Sequence, residues 1–233
     1  MRVLVTRPQP DAAATAARLA AAGHEGLVDP MLAVEAIGAA RLPDGRFDAL
    51  ALTSVNGARA LGARAEWAEL RRLPLYTVGW RTAQAAPEGA TSRVAGGDGA
   101  ALAELLRAGL PRGARLLHVC GEDRAVDLGA ALADEGIAVE LFTLYRAVPA
   151  AALSPATIAA ARDGRIDVAF HFSPRTAATL AARATEAGLS AAFGQVTHLC
   201  FSAKVAAPLE AAGWPVRIAA APNENALFAL LSA

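Results

Sequence analysis

The sequence predicts an α/β protein built from two similar parallel-sheet domains, and three observations favour this class. Short apolar runs, typical of buried parallel strands, alternate with Ala-rich helical segments along the chain. One stretch occurs twice, because Asp48–Ala58 aligns with Asp167–Ala177 at an offset of 119 residues (167 minus 48), each reading Asp, apolar run, Ser and Ala-rich helix. The length of 233 residues allows two domains of about 100–120 residues each.

The elements follow one another in a regular order of strand, turn and helix. Ser54 and Ser173 each stand where a strand ends and a helix begins, so both are predicted N-caps. Glycines such as Gly23, Gly136 and Gly213 end the predicted helices. Strands are predicted at 3–5, 26–29, 47–52, 75–78, 92–94, 115–120, 168–172, 196–201 and 216–218. One helix is predicted to begin at residue 54 or 55, and another to follow residues 79–82 and end at about 86. Further helices are predicted at 11–22, 100–108, 127–135, 151–162, 174 onward, 203–212 and 223–231.

Two extended stretches lack a following amphipathic helix and decide how the chain is divided. They are Pro30–Ile37 and Thr143–Pro149. A plain tandem division cuts the chain once near Gly113, whereas a crossed division cuts it at both extended stretches and joins the N-terminal βαβ piece to the C-terminal half. Further matches at offsets of about 113 to 124 residues support a repeat, and chance similarity between Ala-rich helices is the alternative.

Composition excludes several classes of function. Hydrophobic residues make up 55% of the chain and the formal net charge is zero, so the sequence indicates neither nucleic-acid nor membrane-surface binding. Cys120 and Cys200 form no CxxC or zinc pattern and are expected to be reduced and buried. The four histidines have no metal or triad spacing. With no signal peptide and no apolar run of about 18 residues, a cytoplasmic protein is expected.

Several short motifs follow one another along nearly the whole chain. They are Val5-Thr6-Arg7-Pro8, Leu52-Thr53-Ser54-Val55-Asn56-Gly57, Val78-Gly79 with Thr82-Ala83, Leu144-Tyr145-Arg146, Phe172-Ser173-Pro174-Arg175, and Phe201-Ser202 with Val205-Ala206. In their order and spacing these motifs resemble the uroporphyrinogen-III synthase family. The resemblance implies two flavodoxin-like or Rossmann-like parallel-sheet lobes joined by a two-stranded β-ladder. It favours the crossed division, with residues 1–30 and 150–233 in domain 1, 38–142 in domain 2, and 31–37 and 143–149 as linker strands.

The resemblance also implies a reaction without a cofactor or a metal. Linear hydroxymethylbilane loses water and closes to uroporphyrinogen III with its terminal D ring inverted. Loss of the hydroxyl gives an electrophilic azafulvene, a ring carbon attacks to form a spiro intermediate, and this fragments and recloses. Orientation of the chain is therefore the main contribution expected of the protein. A monomer is expected, with a transient hand-over of substrate from the bilane-forming deaminase.

Tyr145 is the candidate catalytic acid, because it matches the family tyrosine implicated in the departure of the hydroxyl. Its phenol can donate a hydrogen bond to a leaving group. Packing of the ring against the linker strands is the structural alternative.

The substrate carries eight carboxylates, and the candidate binding residues stand at predicted helix starts or turns after strands. Backbone N–H groups at helix starts favour anions. For the serines the alternative is capping alone, and for the arginines it is solvated surface charge. The family pattern also has small or hydroxyl residues where this chain has Trp80-Arg81 and Ala203-Lys204. The candidates are Arg7, Ser54, Asn56, Gly57, Gly79, Thr82, Arg124, Ser173, Arg175, Ser202 and Lys204.

Three other functions are alternatives to the cyclase. A two-lobe binding or sensor protein on the same architecture would close on a small anion without turnover. A degenerate family member would have a regulatory role. A nucleotide-dependent enzyme is disfavoured, because no GxGxxG follows the first strand and Gly96-Gly97-Asp98-Gly99 lacks the Lys-Ser/Thr of a phosphate loop.

Overall fold

The computed structural model describes residues 1–231, in which eleven strands alternate with short and medium helices. The strands are β1 (Arg2–Val5), β2 (Glu25–Val28), β3 (Leu32–Ala36), β4 (Ala49–Leu52), β5 (Leu75–Thr77), β6 (Ser92–Val94), β7 (Arg115–Gly121), β8 (Ala138–Pro149), β9 (Val168–His171), β10 (Thr197–Cys200) and β11 (Val216–Ile218). The helices are α1 (Asp11–Ala21), α2 (Val55–Gly62), α3 (Trp67–Leu70), α4 (Trp80–Gln84), α5 (Gly99–Gly109), α6 (Leu128–Ala131), α7 (Pro155–Arg162), α8 (Pro174–Glu186), α9 (Ser190–Phe193), α10 (Ala203–Ala211) and α11 (Glu224–Ala229).

The chain separates into two compact units. Unit 1 comprises Met1–Ala33 together with the chain from Val148 onward, and unit 2 comprises Val34–Ala147. Both passages between the units fall inside strands, one in β3 and the other in β8. The predicted domain limits and the linking role of residues 31–37 and 143–149 stay predictions.

The sheet of unit 2 has the strand order β3-β8-β7-β4-β5-β6. Strands β4 to β8 pair in parallel, with Leu50 opposite Leu75 on one side and opposite Leu117 on the other. From β4 the chain runs outward through β5 and β6, and then returns to the other side of β4 for β7 and β8. The point between β4 and β7 is therefore a topological switch point, outside which open α/β sheets hold their ligands.

Unit 1 repeats this plan, because its sheet has the order β11-β10-β9-β1-β2 and all its pairs are parallel. Strand β9 occupies the place of β4, and β1 and β2 occupy those of β7 and β8. Counted along the chain, unit 2 has the Rossmann-like order, in which the third, second, first, fourth and fifth strands are neighbours, whereas unit 1 has the flavodoxin-like order of second, first, third, fourth and fifth. The predicted fold class, α/β with parallel sheets, is confirmed.

Helices cover both faces of each sheet, which explains the uninterrupted apolar runs of the central strands. In β4, Leu50 and Leu52 pack into one cluster with Leu117 and Phe142, whereas Ala49 and Ala51 face a second cluster around Tyr76. Unit 1 likewise has one core on each face of its sheet. The expected burial of the two free cysteines is confirmed, with Cys120 in β7 and Cys200 in β10.

Three parts of the predicted element list differ from the structure. The segment predicted as one helix over 127–135 is a single turn, α6, followed by a 3-10 turn at Ala133–Glu135, and Gly129 in its first turn lowers helix propensity. The helix predicted from 151 begins at Pro155, with Ser154 as its cap and the proline in the first turn. The short helices α3 and α9 were not predicted, because four residues are too few to show a helical period.

Candidate active site

A cavity of about 690 Å³ lies in unit 2 at the switch point, where β4 and β7 end. Thr53 and Ser54 follow β4, Val78 follows β5, and the turn Gly97–Ala100 follows β6. The segment Gly121–Val126 closes the lining from the end of β7, and Tyr145 reaches it from β8. The cavity is thus lined by residues at the ends of β4, β5, β6 and β7 and by one residue of β8.

Ser54 links the cavity to helix α2. Its backbone is extended, its C=O accepts from Ala58 N–H, and its Oγ accepts a hydrogen bond from Gly57 N–H at 2.9 Å. This confirms the predicted N-cap. The same Oγ lies 2.8 Å from the hydroxyl of Tyr145. Because Oγ already accepts from Gly57, its own proton is available to the phenol, and a remaining lone pair can accept from it.

Tyr145 is held by the backbone of β7 as well as by Ser54. The pairing of β7 with β8 shifts register after Cys120, so that Gly121 stands opposite Tyr145. A Cβ atom on Gly121 would lie only 2.6 Å from Cζ of the tyrosine ring, so the ring packs directly on this glycine. Register shifts of this kind change the direction of a side chain beside a site.

The phenol of Tyr145 is kept in its protonated form. Burial raises the pKa of Tyr145 above its usual value, and the negative charge of Asp123 acts in the same direction. The hydrogen bond to Ser54 acts in the opposite direction but does not outweigh burial. A neutral phenol with a fixed orientation is suited to donate a proton to a leaving oxygen.

Three charged side chains line the same cavity: Asp98, Asp123 and Arg124. Asp98 caps α5, and its Oδ1 accepts a hydrogen bond from Ala101 N–H at 2.8 Å. Arg124 also borders a smaller neighbouring cavity of about 190 Å³. The sequence predicted Arg124 as a site residue, but it missed both acids.

His118 contacts Thr53, one of the residues that line the cavity. Its Nε2 lies 3.0 Å from Thr53 Oγ1, and its side chain is buried in β7. Burial and the positive charge of Arg124 lower the pKa of His118 to about 4. The ring is therefore neutral at neutral pH, in agreement with a structural histidine.

The remaining predicted residues of unit 2 surround α2 and α4 rather than the cavity wall. Gly57 is buried behind Ser54, and Asn56 is half-buried in the first turn of α2. Gly79 is the N-cap of α4, and its C=O accepts from the N–H of Thr82, which is buried. Their contact with substrate stays a prediction.

In unit 1, Arg7 is engaged by the protein itself. Its Nη2 contacts Asp11 Oδ2 at 2.8 Å, its Nη1 lies 3.7 Å from Glu224 Oε1, and its guanidinium stacks over the ring of Phe172 at 4.3 Å. Only 8% of Arg7 is exposed. A role for this side chain in binding substrate carboxylates stays a prediction.

The other predicted residues of unit 1 lie at the starts of two helices. Ser173 and Ser202 cap α8 and α10, accepting from Thr176 N–H at 3.2 Å and Val205 N–H at 3.4 Å. Arg175 is half-buried in the first turn of α8, and Lys204 is exposed in that of α10. The capping interpretation is thereby confirmed for both serines, and their contact with substrate stays a prediction.

The described chain offers neither a metal-binding cluster nor a membrane-spanning helix. Across residues 1–231, no group of three or more His, Cys, Asp or Glu side chains could hold a metal ion. None of the helices in this part of the chain combines the length and apolar character that crossing a bilayer requires.

The fold and the cavity define a class: a doubly wound α/β protein of two like units, with a ligand cavity at the switch point of one unit. A sequence model of the family described as uroporphyrinogen-III synthase HemD matches residues 13–229. The chain therefore belongs to the uroporphyrinogen-III synthase family. It is a cyclising lyase of tetrapyrrole synthesis, and its substrate is hydroxymethylbilane.

Solved structures of the same family share the fold. The uroporphyrinogen-III synthetase of Helicobacter pylori is 17% identical, aligns over 100% of this chain and 99% of its own, and has a TM-score of 0.63. A mutant uroporphyrinogen III synthase of Thermus thermophilus is 21% identical, aligns over 100% of this chain and 96% of its own, and has a TM-score of 0.55. No curated protein sequence matches the chain significantly.

Proposed function

We propose that the cavity of unit 2 holds the hydroxymethyl end of hydroxymethylbilane and that Tyr145 donates the proton with which the hydroxyl leaves as water. The observation that carries this proposal is the pair formed by Tyr145 and Ser54, 2.8 Å apart at the switch-point cavity. A tyrosine with a raised pKa retains the proton that departure of the hydroxyl requires.

Ser54 prepares the phenol for this step. When the Ser54 hydroxyl donates to the phenol oxygen, the phenolic proton is free to point at the substrate. The N–H group of Gly57 fixes Oγ from behind, and the N-terminus of α2 stabilises negative charge that develops on the phenol oxygen. The protein thereby assists the first bond cleavage, after which the pyrrole rings themselves drive the rearrangement.

The remaining candidates hold the carboxylates of the substrate. Arg124 offers a cation at the cavity itself. In unit 2, two helix starts offer polar groups to the acetate and propionate arms of the substrate: Asn56 and Gly57 at α2, and Gly79 and Thr82 at α4. In unit 1, two helix starts offer polar groups to the same carboxylate arms: Ser173 and Arg175 at α8, and Ser202 and Lys204 at α10. Arg7 is a further candidate for binding these carboxylates.

The test is the isomer formed from freshly generated hydroxymethylbilane, oxidised and separated by chromatography. The bilane alone closes to the symmetrical isomer I. Isomer III in excess, rising with protein concentration, is the expected result. Isomer I alone, from protein whose circular dichroism shows that it is folded, would contradict the proposed function and return the two-lobe binding protein to consideration.

The role of Tyr145 is tested with Tyr145→Phe against a matched control. Tyr76 is the only other tyrosine, lies in β5 in the core of unit 2, and its hydroxyl accepts from Arg93 Nη1 at 2.9 Å. We expect Tyr145→Phe to lower kcat by about 10²-fold or more, and Tyr76→Phe to leave it within about twofold. Equal rates for both variants would remove Tyr145 from the mechanism.

The proposal also covers the oligomeric state of the protein and its location in the cell. We infer a monomer that receives its substrate in a transient hand-over from the bilane-forming deaminase. The two free, buried thiols are compatible with the reducing cytoplasm. Light scattering at micromolar concentration, alone and mixed with the deaminase, tests the assembly and the hand-over.

A further inference from the structure

Apart from Arg124, which can bind one carboxylate arm, the charged side chains of the unit 2 cavity do not suit a carboxylate-rich ligand. Two acids, Asp98 and Asp123, face one base, Arg124, so the charged lining carries a net charge of −1 (one positive minus two negative). The substrate carries eight carboxylates, and like charges repel in a partly enclosed site. The net negative lining therefore suits the N–H and hydroxymethyl groups of the terminal pyrrole ring, which are uncharged at first and become positive during the reaction, better than it suits the acetate and propionate arms.

The proposed first step creates such a segment. When the C–O bond of the hydroxymethyl group breaks, its electron pair leaves with the oxygen, which takes the proton of Tyr145 and departs as water. The ring double bonds shift to form an exocyclic C=C bond to the former hydroxymethyl carbon, and the lone pair of the pyrrole nitrogen forms a C=N bond to the other α-carbon of the ring, so the positive charge appears on that N–H group. Ring closure later releases one proton from a ring carbon, and this proton restores the phenol.

The position of the Asp98 carboxylate is set by its role as a helix cap. Its Oδ1 is anchored by Ala101 N–H at 2.8 Å, at the start of the eleven-residue helix α5. The preceding Gly97 has φ +110°, a conformation that a side chain would oppose. The following Gly99 packs so closely on Val126 that a Cβ would lie 2.6 Å from its Cγ2. The carboxylate is thus oriented by its hydrogen bond to the start of α5 and by the contact of Gly99 with Val126, although its side chain is exposed.

We propose that Asp98 is a further catalytic residue, whose carboxylate accepts a hydrogen bond from the pyrrole N–H of the hydroxymethyl ring and stabilises the azafulvenium cation formed there. This inference rests on the proposed function of the cavity. It gives the two sides of the site opposite tasks, since Ser54 and Tyr145 assist the leaving oxygen while Asp98 stabilises the cation that remains. A fixed carboxylate that needs no reorganisation is suited to this electrostatic role.

The cap chemistry of Asp98 allows its charge to be removed without loss of its structural role. Asparagine and serine cap helices about as well as aspartate does, so Asp98→Asn and Asp98→Ser keep the bond to Ala101 N–H. Asp127 is a matched control, because it caps α6 by accepting from Ala130 N–H at 3.1 Å and borders the smaller cavity instead. All three variants are expected to keep the thermal unfolding midpoint of the parent protein.

The expected result is a fall in kcat of about 10- to 100-fold for Asp98→Asn and Asp98→Ser. KM should stay level or decrease, because a negative charge near an anionic substrate has been removed. Asp127→Asn should keep the parental kcat. The inference is overturned if both Asp98 variants keep the parental kcat, or if Asp127→Asn lowers kcat as much as they do.

The same series separates this inference from the proposed function. A parent protein that makes isomer III and loses activity in Tyr145→Phe, but not in Asp98→Asn, refutes the role of Asp98 and leaves the function in place. A parent protein that makes only isomer I refutes the function, whatever the Asp98 variants do.

Discussion

Gly121 offers the sharpest test of the position of Tyr145. A Cβ atom built on this glycine lies 2.6 Å from Cζ, 2.7 Å from Cε2 and 3.0 Å from the hydroxyl oxygen of the tyrosine. Carbon atoms in contact are separated by about 3.5–4.0 Å. In Gly121→Ala the ring must therefore move by about 1 Å, and its 2.8 Å bond to Ser54 is lost or badly lengthened.

The expected consequence is a loss of rate without a loss of fold. A displacement of about 1 Å at a reacting group costs on the order of 10²-fold, so kcat of Gly121→Ala should fall by about that factor. The ring is only half-buried and can move outward, so the free energy of unfolding should fall by about 1 kcal/mol, at the low end of the usual cost of overpacking. Gly38→Ala is the control, because no atom lies within 4 Å of the Cβ that it would add.

A double-mutant cycle decides whether Gly121 acts through the tyrosine. The rate of isomer III formation is measured for Gly121→Ala, Tyr145→Phe and the double variant. If the glycine only positions the phenol, the double variant should be no slower than Tyr145→Phe alone. Multiplied losses in the double variant, or a parental rate in Gly121→Ala, would refute the reasoning.

Other predictions concern stability and binding. Burial lowers the pKa of His198 to about 4 and that of His171 well below its usual value, so below about pH 6.5 the unfolded chain binds protons that the folded chain does not. The free energy of unfolding should be constant above about pH 6.5 and should fall by about 1.4 kcal/mol per histidine per pH unit towards pH 4. Urea unfolding at about pH 7, 6 and 5 measures this change. A free energy of unfolding that does not vary with pH would contradict the prediction. Ser54→Ala should lose about 1 kcal/mol of stability with its cap and about tenfold in kcat, whereas Ser54→Thr should keep most of both in the same assays. Arg7→Met leaves the carboxylate of Glu224 with one cation fewer and should lower the melting temperature more than it raises KM; a raised KM at an unchanged melting temperature would instead support the carboxylate-binding role.

The fold and part of the site could be predicted because their signals are local. A serine between an apolar strand and an Ala-rich helix indicates a cap, and Ser54 and Ser173 are both caps in the structure. The repeat at an offset of 119 residues (168 minus 49) appears as the matched strands β4 and β9, which begin at Ala49 and Val168. Tyr145 is identified through its resemblance to a family motif, whereas its bond to Ser54 joins residues 91 positions apart and has no local signal.

The acids of the site could not be predicted for the same reason. Asp98 follows β6 and Asp123 follows β7, and nothing in either turn shows that both face one cavity. The strand order alone keeps them apart, because β4 and β5 separate β6 from β7 in the sheet. The two turns meet above the sheet, where Gly99 packs on Val126. Arg7 illustrates the converse case, since its partner Glu224 lies at the far end of the chain and could not be foreseen from the turn that contains the arginine.

The two sheets have matching strand arrangements, but different residues lie at their matching strand ends. In unit 2 the ends of β4 and β7 border an open cavity with a neutral phenol and a capping serine. At the matching ends of β9 and β1 in unit 1, the guanidinium of Arg7 is paired with carboxylates and covered by Phe172. An arginine held in this way stabilises its own unit, whereas a serine whose Oγ still has a proton to give can act on a neighbouring hydroxyl. The chemistry is therefore expected in unit 2, and a role of the capped helix starts of unit 1 in binding the substrate stays a prediction.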